Sequence, residues 1–217
     1  QAEQIPVGKR AGGAATEQAF INRLLVAQAL QGKQVVRLKG GDPTVFGRLD
    51  EEIAAAVDAQ IDWSVVPGIT AASAAAAAAG VTLTQRGVAR GVSLLTPAVG
   101  RDEAPNPQWL RAAATGATVA VYMAGRRSAQ VARQLLKAGY APDTPVVIAA
   151  GVETADQRLA HSHLEALATT ATAIGTADSP CVLLIGEAVR RRLPVAQTAG
   201  AATAEAVACA KHESIAA

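Results

Sequence analysis

The sequence predicts an α/β protein. Two observations carry the prediction. Apolar residues recur at helical spacing in some segments and at strand spacing in others, and the two kinds alternate along the first ninety residues. The strand-like runs stop in glycine, Gly-Gly-Asp-Pro or Pro-Gly, as strands of open α/β sheets do where they meet a ligand. Half of the 217 residues are hydrophobic, enough for one large or two small domains.

The elements follow in order. Val7-Gly8-Lys9-Arg10-Ala11-Gly12-Gly13 is a basic, glycine-punctuated loop. Thr16 is placed to cap a helix in which Phe20, Ile21, Leu24, Leu25 and Ala29 keep helical spacing, closed by Gly32. Val35 to Lys39 reads as a strand, with Val35, Arg37 and Lys39 on one face. It breaks at Gly40-Gly41-Asp42-Pro43, where glycine lets the backbone turn and approach a ligand and proline stops the strand. Asp50, Glu51 and Glu52 sit where a helix start favours negative charge, with Ile53, Ala56 and Val57 as its apolar face. Trp63 to Val66 reads as the next strand, stopped by Pro67-Gly68.

Thr70 is the expected N-cap of a nearly all-alanine helix, Ala71 to Ala79, ending at Gly80. Small side chains there serve tight packing on a sheet or leave room for a ligand at the helix start; the sequence leaves both open. Val92 to Thr96 is a strand broken at Pro97, Asp102 to Gln108 a loop, and Trp109 to Ala114 a short helix. Thr118 to Met123 is a strand ending in Ala124-Gly125. Ser128 is set to cap an amphipathic helix with Val131, Leu135 and Leu136 on one side. Pro145 to Ala150 is a strand ending at Gly151, Glu153 to His163 is extended and polar, and a short helix is expected at Leu164 to Ala168. Pro180 to Ile185, apolar throughout, is expected as a central strand. The pattern loosens after Val92, which divides the chain into 1–91, 92–193 and an alanine-rich tail, 194–217, expected to be disordered.

Net charge is +2, too balanced to argue for nucleic acid. No apolar run approaches the roughly 20 residues of a bilayer span. Cys181 and Cys209 suggest no disulfide framework, so a cytoplasmic location is expected. His161-x-His163 lacks a third partner at metal-site spacing, and no metal is expected.

Three strand ends share one character: Gly40-Gly41-Asp42, Pro67-Gly68-Ile69-Thr70-Ala71 and Met123-Ala124-Gly125, with Ala150-Gly151 as a fourth. Together they offer backbone amides, a carboxylate, a hydroxyl and a thioether, a set suited to a ligand with an amino-acid end, a ribose and a base. Val36-Arg37-Leu38-Lys39-Gly40-Gly41-Asp42-Pro43, Phe46-Gly47-Arg48, Glu51-Glu52, Val65-Val66-Pro67-Gly68-Ile69-Thr70-Ala71-Ala72-Ser73 and Leu83-Thr84-x-Arg86 closely resemble the uroporphyrinogen-III C-methyltransferases, found alone or as the C-terminal part of sirohaem synthases. The resemblance runs from about residue 5 to residue 192.

It implies the two-domain tetrapyrrole methyltransferase fold, with S-adenosylmethionine in the cleft between the domains and usually a homodimer. It implies methylation of uroporphyrinogen III at C2 and C7, giving precorrin-2 on the way to sirohaem or cobalamin. On matching positions, Gly40, Gly41, Asp42, Val45, Thr70, Ala71, Met123 and Gly151 are the implied cofactor residues and Lys9 the implied proton donor. Taken without the resemblance, Lys9 reads as a solvated charge and Met123 as core filler. Arg10, Arg48, Arg86, Arg90, Arg126 and Arg127 read singly as surface charges, and together as a cradle for the substrate's carboxylates.

The family opens with a strand, a Gly-x-Gly-Pro-Gly-Asp-Pro loop and an acid assigned as general base. This sequence starts at Gln1 without them, which implies an incomplete first domain. Gln85 stands where histidine is common, and Thr96-Pro97 replaces Thr-Gly-His. Two alternatives follow: a sister methyltransferase acting on a later corrin precursor, or a truncated remnant that only dimerises or binds cofactor.

Overall fold

A computed structural model of the protein describes residues 2–7, 17–97, 109–113, 117–177 and 179–191. The expectations for Lys9, Arg10, Thr16, the 102–108 loop and the 194–217 tail fall outside these residues. Among the described residues the order is α1 (Gln18–Leu30), α2 (Leu49–Asp58), α3 (Ala71–Ala78), β1 (Val92–Leu95), α4 (Trp109–Ala113), β2 (Thr118–Tyr122), α5 (Ser128–Lys137), β3 (Pro145–Ala150), β4 (Arg158–His163), α6 (Leu167–Ala173) and β5 (Cys181–Ile185).

The five strands form one mixed sheet in the order β1-β2-β5-β3-β4. β1 and β2 are parallel, whereas β5 runs antiparallel to both of its neighbours, β2 and β3. The last strand is therefore central, as its unbroken hydrophobicity predicted, although it lies antiparallel to its neighbours. β2 and β3 run the same way, so Tyr122 and Ala149 flank Val182 of β5 at one edge of the sheet.

Alternation along the strands builds two cores. Val119, Val121, Val146, Ile148, Leu183 and Ile185 face one way and pack with Val131 and Leu135 of α5 and Leu167 of α6. Ala120, Tyr122, Val147, Ala149, Val182 and Leu184 face the other way and meet Ala72, Ala75 and Ala76 of α3. The alanines let α3 lie close on the sheet, which supports the packing reading of that helix.

Two sequence expectations are corrected here. Residues 33–39 and 61–70 form neither helix nor strand, and among the described residues neither segment forms a ladder. A strand exists only by pairing, and β-propensity alone does not supply a neighbour. Their apolar side chains stay open: Val36 is 72%, Leu38 82% and Val66 80% exposed. Three smaller boundaries also shift. Ser128 is the first residue of α5 rather than its cap, the helix expected at 164–168 is Leu167–Ala173, and the polar stretch narrows to the strand Arg158–His163.

Candidate functional site: converging strand-end turns

Gly41 adopts φ +72°, a left-handed conformation that favours glycine. Gly68 is needed for a different reason. A Cβ on Gly68 would lie 2.1 Å from the carbonyl oxygen of Gly41, so the turns 40–42 and 67–71 meet backbone to backbone. The opposite side of Gly40 is clear, with no atom within 4 Å of where its Cβ would stand. Asp42 closes the first turn. Its Oδ1 accepts from the Thr44 hydroxyl at 2.6 Å and the Thr44 amide at 2.8 Å. These two bonds, helped by the Gly68 amide and opposed by slight desolvation, hold the Asp42 carboxyl below its ordinary range.

Tyr122, at the end of β2, ties the second turn to the sheet. Its hydroxyl shares a 2.6 Å hydrogen bond with the Thr70 hydroxyl and accepts from the Ala72 amide at 3.1 Å. Thr70 does occupy the N-cap position of α3 with extended backbone angles, but its side chain makes no capping bond. This corrects the expectation for Thr70: the tyrosine, from another element, satisfies one of the free amides that begin the helix. The Tyr122 ring also meets Phe46 edge-on, with centroids 4.9 Å apart. Val45 and Ala71 pack against the same cluster of buried residues as Tyr122, and so does Val152, next to Gly151.

Met123 follows Tyr122 with φ +54° and is half exposed, so it is not core filler. Gly151 follows β3 and is buried. β2 and β3 flank β5 and run the same way, so Met123 and Gly151 leave the sheet at the same end. Among the described residues, Phe46, Arg48, Gln60, Met123 and Glu153 carry positive φ without being glycine.

The first turn is fastened from below. Glu52 is buried in α2, and its carboxylate accepts from Lys39 Nζ at 2.6 Å, Arg37 Nε at 3.2 Å and Gln18 Nε2 at 3.1 Å. Burial would raise its pKa, but the Lys39 and Gln18 bonds and the Lys39 and Arg37 charges lower it, so Glu52 is held ionised.

The chain matches the family described as Tetrapyrrole (Corrin/Porphyrin) Methylases over residues 2–168. The chain belongs to the tetrapyrrole methylase family. It is 43% identical over 189 residues to the uroporphyrinogen-III C-methyltransferase of Pseudomonas aeruginosa, spanning 87% of this chain and 76% of that protein. It is 42% identical to the siroheme synthase of Zymomonas mobilis, over 86% of this chain but only 39% of that longer protein. Among solved structures, it superposes on the uroporphyrin-III C-methyltransferase of Thermus thermophilus, complexed with S-adenyl homocysteine, with TM-score 0.66 and 32% identity. That match covers 80% of this chain and 74% of the other. A cobalt precorrin-4 methyltransferase superposes with TM-score 0.73 at 27% identity, over 82% and 74% of the two chains.

For a tetrapyrrole methylase, the structure joins Gly40, Gly41, Asp42, Val45, Thr70 and Ala71 through the 40–42 and 67–71 turns and Tyr122. Met123 and Gly151 stand on the sheet edge that Tyr122 reaches. No atom stands within 4 Å of where a Cβ on Gly40 would lie, and Met123 is 53% exposed. A hollow of about 460 Å³, lined by Phe46, Gly47, Arg48 and Ile53 among others, adjoins the loop.

The described arginines of the expected cradle make separate contacts. Arg48 pairs with Glu51 at 2.5 and 2.7 Å, Arg126 donates to the Ala177 carbonyl at 2.9 Å, and Arg127 donates to the Pro97 carbonyl at 2.9 Å. Arg86 and Arg90 are exposed beside the bridged turn Gln85–Ala89. His161 and His163 lie on β4, and no group of three metal-ligating side chains occurs among the described residues. No described helix is long and apolar enough to cross a membrane.

Sequence reasoning passed over the roles of Tyr122, Lys39 and Glu52. Lys39 and Glu52 carried only the signal of opposite charge, which does not by itself say that the two meet. Tyr122 carried none, because its partners are fifty residues away.

Proposed function

We propose that the chain binds S-adenosylmethionine at the converging strand-end turns and methylates uroporphyrinogen III at C2 and C7, giving precorrin-2. The observation that carries this reading is the direct seating of Gly68 on Gly41, with Tyr122 bonded to Thr70 and Ala72 behind them. The 43% identity to a uroporphyrinogen-III C-methyltransferase supports the choice of substrate. The bound cofactor would supply a methyl group on a sulfonium with a good leaving group. The chain's own work is then orientation and proton handling. Gly40, Gly41, Asp42, Val45, Thr70, Ala71, Met123 and Gly151 hold and orient the cofactor. Lys9 exchanges the proton that the pyrrole must release as its carbon attacks. We read residues 1–91 and 92–193 as two domains around this cleft, and the active form as a cytoplasmic homodimer, whose mass light scattering at micromolar concentration would report.

The test has two arms. Gly41→Val puts a branched side chain at a left-handed position beside the ligand, and calorimetry with S-adenosylhomocysteine should show affinity lost in a folded protein. Unchanged affinity would move the site elsewhere. Lys9→Met should lower turnover far more than cofactor affinity; an indifferent Lys9 would remove it from the chemistry.

A further inference from the structure

We infer that Glu52 is a positioning residue for the cofactor turn: through Lys39 it staples both feet of the 40–47 loop to α2. The inference rests on the reading of Gly40–Asp42 as cofactor residues and adds the device that holds them in place.

Residues 33–39 make no ladder among the described residues, and the contacts described for the residues just before the Gly40-Gly41-Asp42 turn are made by side chains. Lys39 immediately precedes the turn, and its Nζ donates to Glu52 Oε2 at 2.6 Å and to the Gly47 carbonyl at 2.5 Å. Gly47 is the far foot of the same loop and is itself closed in, since a Cβ there would lie 2.4 Å from the Pro43 oxygen. The other carboxylate oxygen of Glu52 takes Arg37 and Gln18, which adds the preceding segment and α1 to the same point. Only 10% of the Lys39 side chain and 6% of the Glu52 side chain are exposed.

Burying such a pair is a poor way to gain stability, because desolvation offsets most of the attraction. What it provides is geometry. One carboxylate fixes Lys39, and one ammonium fixes Gly47, so the loop between them has its ends set by two short charge-assisted bonds. Without Glu52 the ammonium is left without its counter-charge, and Lys39, at the near foot of the loop, loses its side-chain tie to α2.

The experiment compares wild type, Glu52→Gln and Leu135→Ala, the last a core truncation in α5 remote from the loop. Affinity for S-adenosylhomocysteine is read by calorimetry, and amide exchange over residues 40–47 is read in the ligand-free protein. Glu52→Gln should weaken binding by about 10- to 100-fold, the scale on which misplacing a site costs function, and should speed exchange in 40–47. Leu135→Ala should lower the melting temperature but leave both readings as in wild type. Lys39→Arg, which keeps a cation facing Glu52, should restore much of the affinity that Lys39→Met loses. If Glu52→Gln fails to fold, the double variant Lys39→Met/Glu52→Met replaces the pair by apolar side chains of similar length and should show the same loss. Wild-type affinity and wild-type loop exchange in either variant would overturn the inference. A wild-type chain that binds no S-adenosylhomocysteine would overturn the cofactor reading, while the exchange data would still decide whether Glu52 holds the loop.

Discussion

The sheet of residues 92–185 and the glycine-turn segments of residues 33–70 use the same kinds of sequence to opposite ends. In β2, β3 and β5 every residue is buried, and each strand has a neighbour on both sides. In 33–39 and 61–70 equally strand-like residues are largely exposed and without a ladder among the described residues. The sheet is held by area removed from water and by paired backbone. The turns are held by a few polar contacts: Glu52 to Lys39, Asp42 to Thr44, and Tyr122 to Thr70 and Ala72. The difference teaches that in this chain the stability of the sheet and the geometry of the turns rest largely on different residues, with Tyr122 belonging to both.

The strongest way to break that comparison is a matched pair of truncations. Ile148→Ala, in a fully buried position of β3, should destabilise the fold by about 2–5 kcal/mol, whereas Leu38→Ala, at 82% exposure, should change it by less than about 0.5 kcal/mol. Denaturant melts of both variants decide it. Equal losses would mean that the extended segments are as much a part of the core as the sheet is.

Tyr122→Phe sharpens the boundary between the regions. It keeps the ring against Phe46 but removes the hydroxyl bonded to Thr70 and Ala72, at a cost of about 1–3 kcal/mol for leaving the Ala72 amide unpaired. S-adenosylhomocysteine affinity should fall alongside stability. A variant as stable and as tightly binding as wild type would show that α3 needs no tie to β2.

The smallest effect expected is a dependence on pH in the first turn. The Asp42 carboxyl titrates below its ordinary value of 3.8, chiefly because the Thr44 hydroxyl and amide bond its charged form. Order contributed by a depressed carboxyl is complete above the unfolded value and is lost as pH falls through the lower folded value. The Thr44 amide signal should therefore stay constant from pH 7 to about pH 4, near the ordinary aspartate value, and shift only below that. In Asp42→Asn the signal should not titrate. A shift centred above pH 4 would contradict the bonding seen at Oδ1.

Much of this was legible in the sequence for local reasons. The helices at 18–30, 49–58 and 128–137 follow from apolar spacing, and that at 71–78 from a run of alanines between Thr70 and Gly80, none of which requires knowledge of the rest of the chain. The central place of Cys181–Ile185 follows from its unbroken hydrophobicity, since only a strand covered on both faces can carry it. The glycine turns were legible because backbone approach excludes side chains. What only the tertiary structure decided was partnership. Whether 33–39 pairs, whether the amide of Ala72 is capped by Thr70 or by Tyr122, and whether Glu52 is a solvated helix-start acid or a buried hub all depend on which residues arrive from elsewhere. Periodicity and propensity describe one segment at a time. A ladder, a cap from a distant tyrosine and a shared carboxylate are properties of two or more segments, fixed by packing once the sheet and α3 have come together.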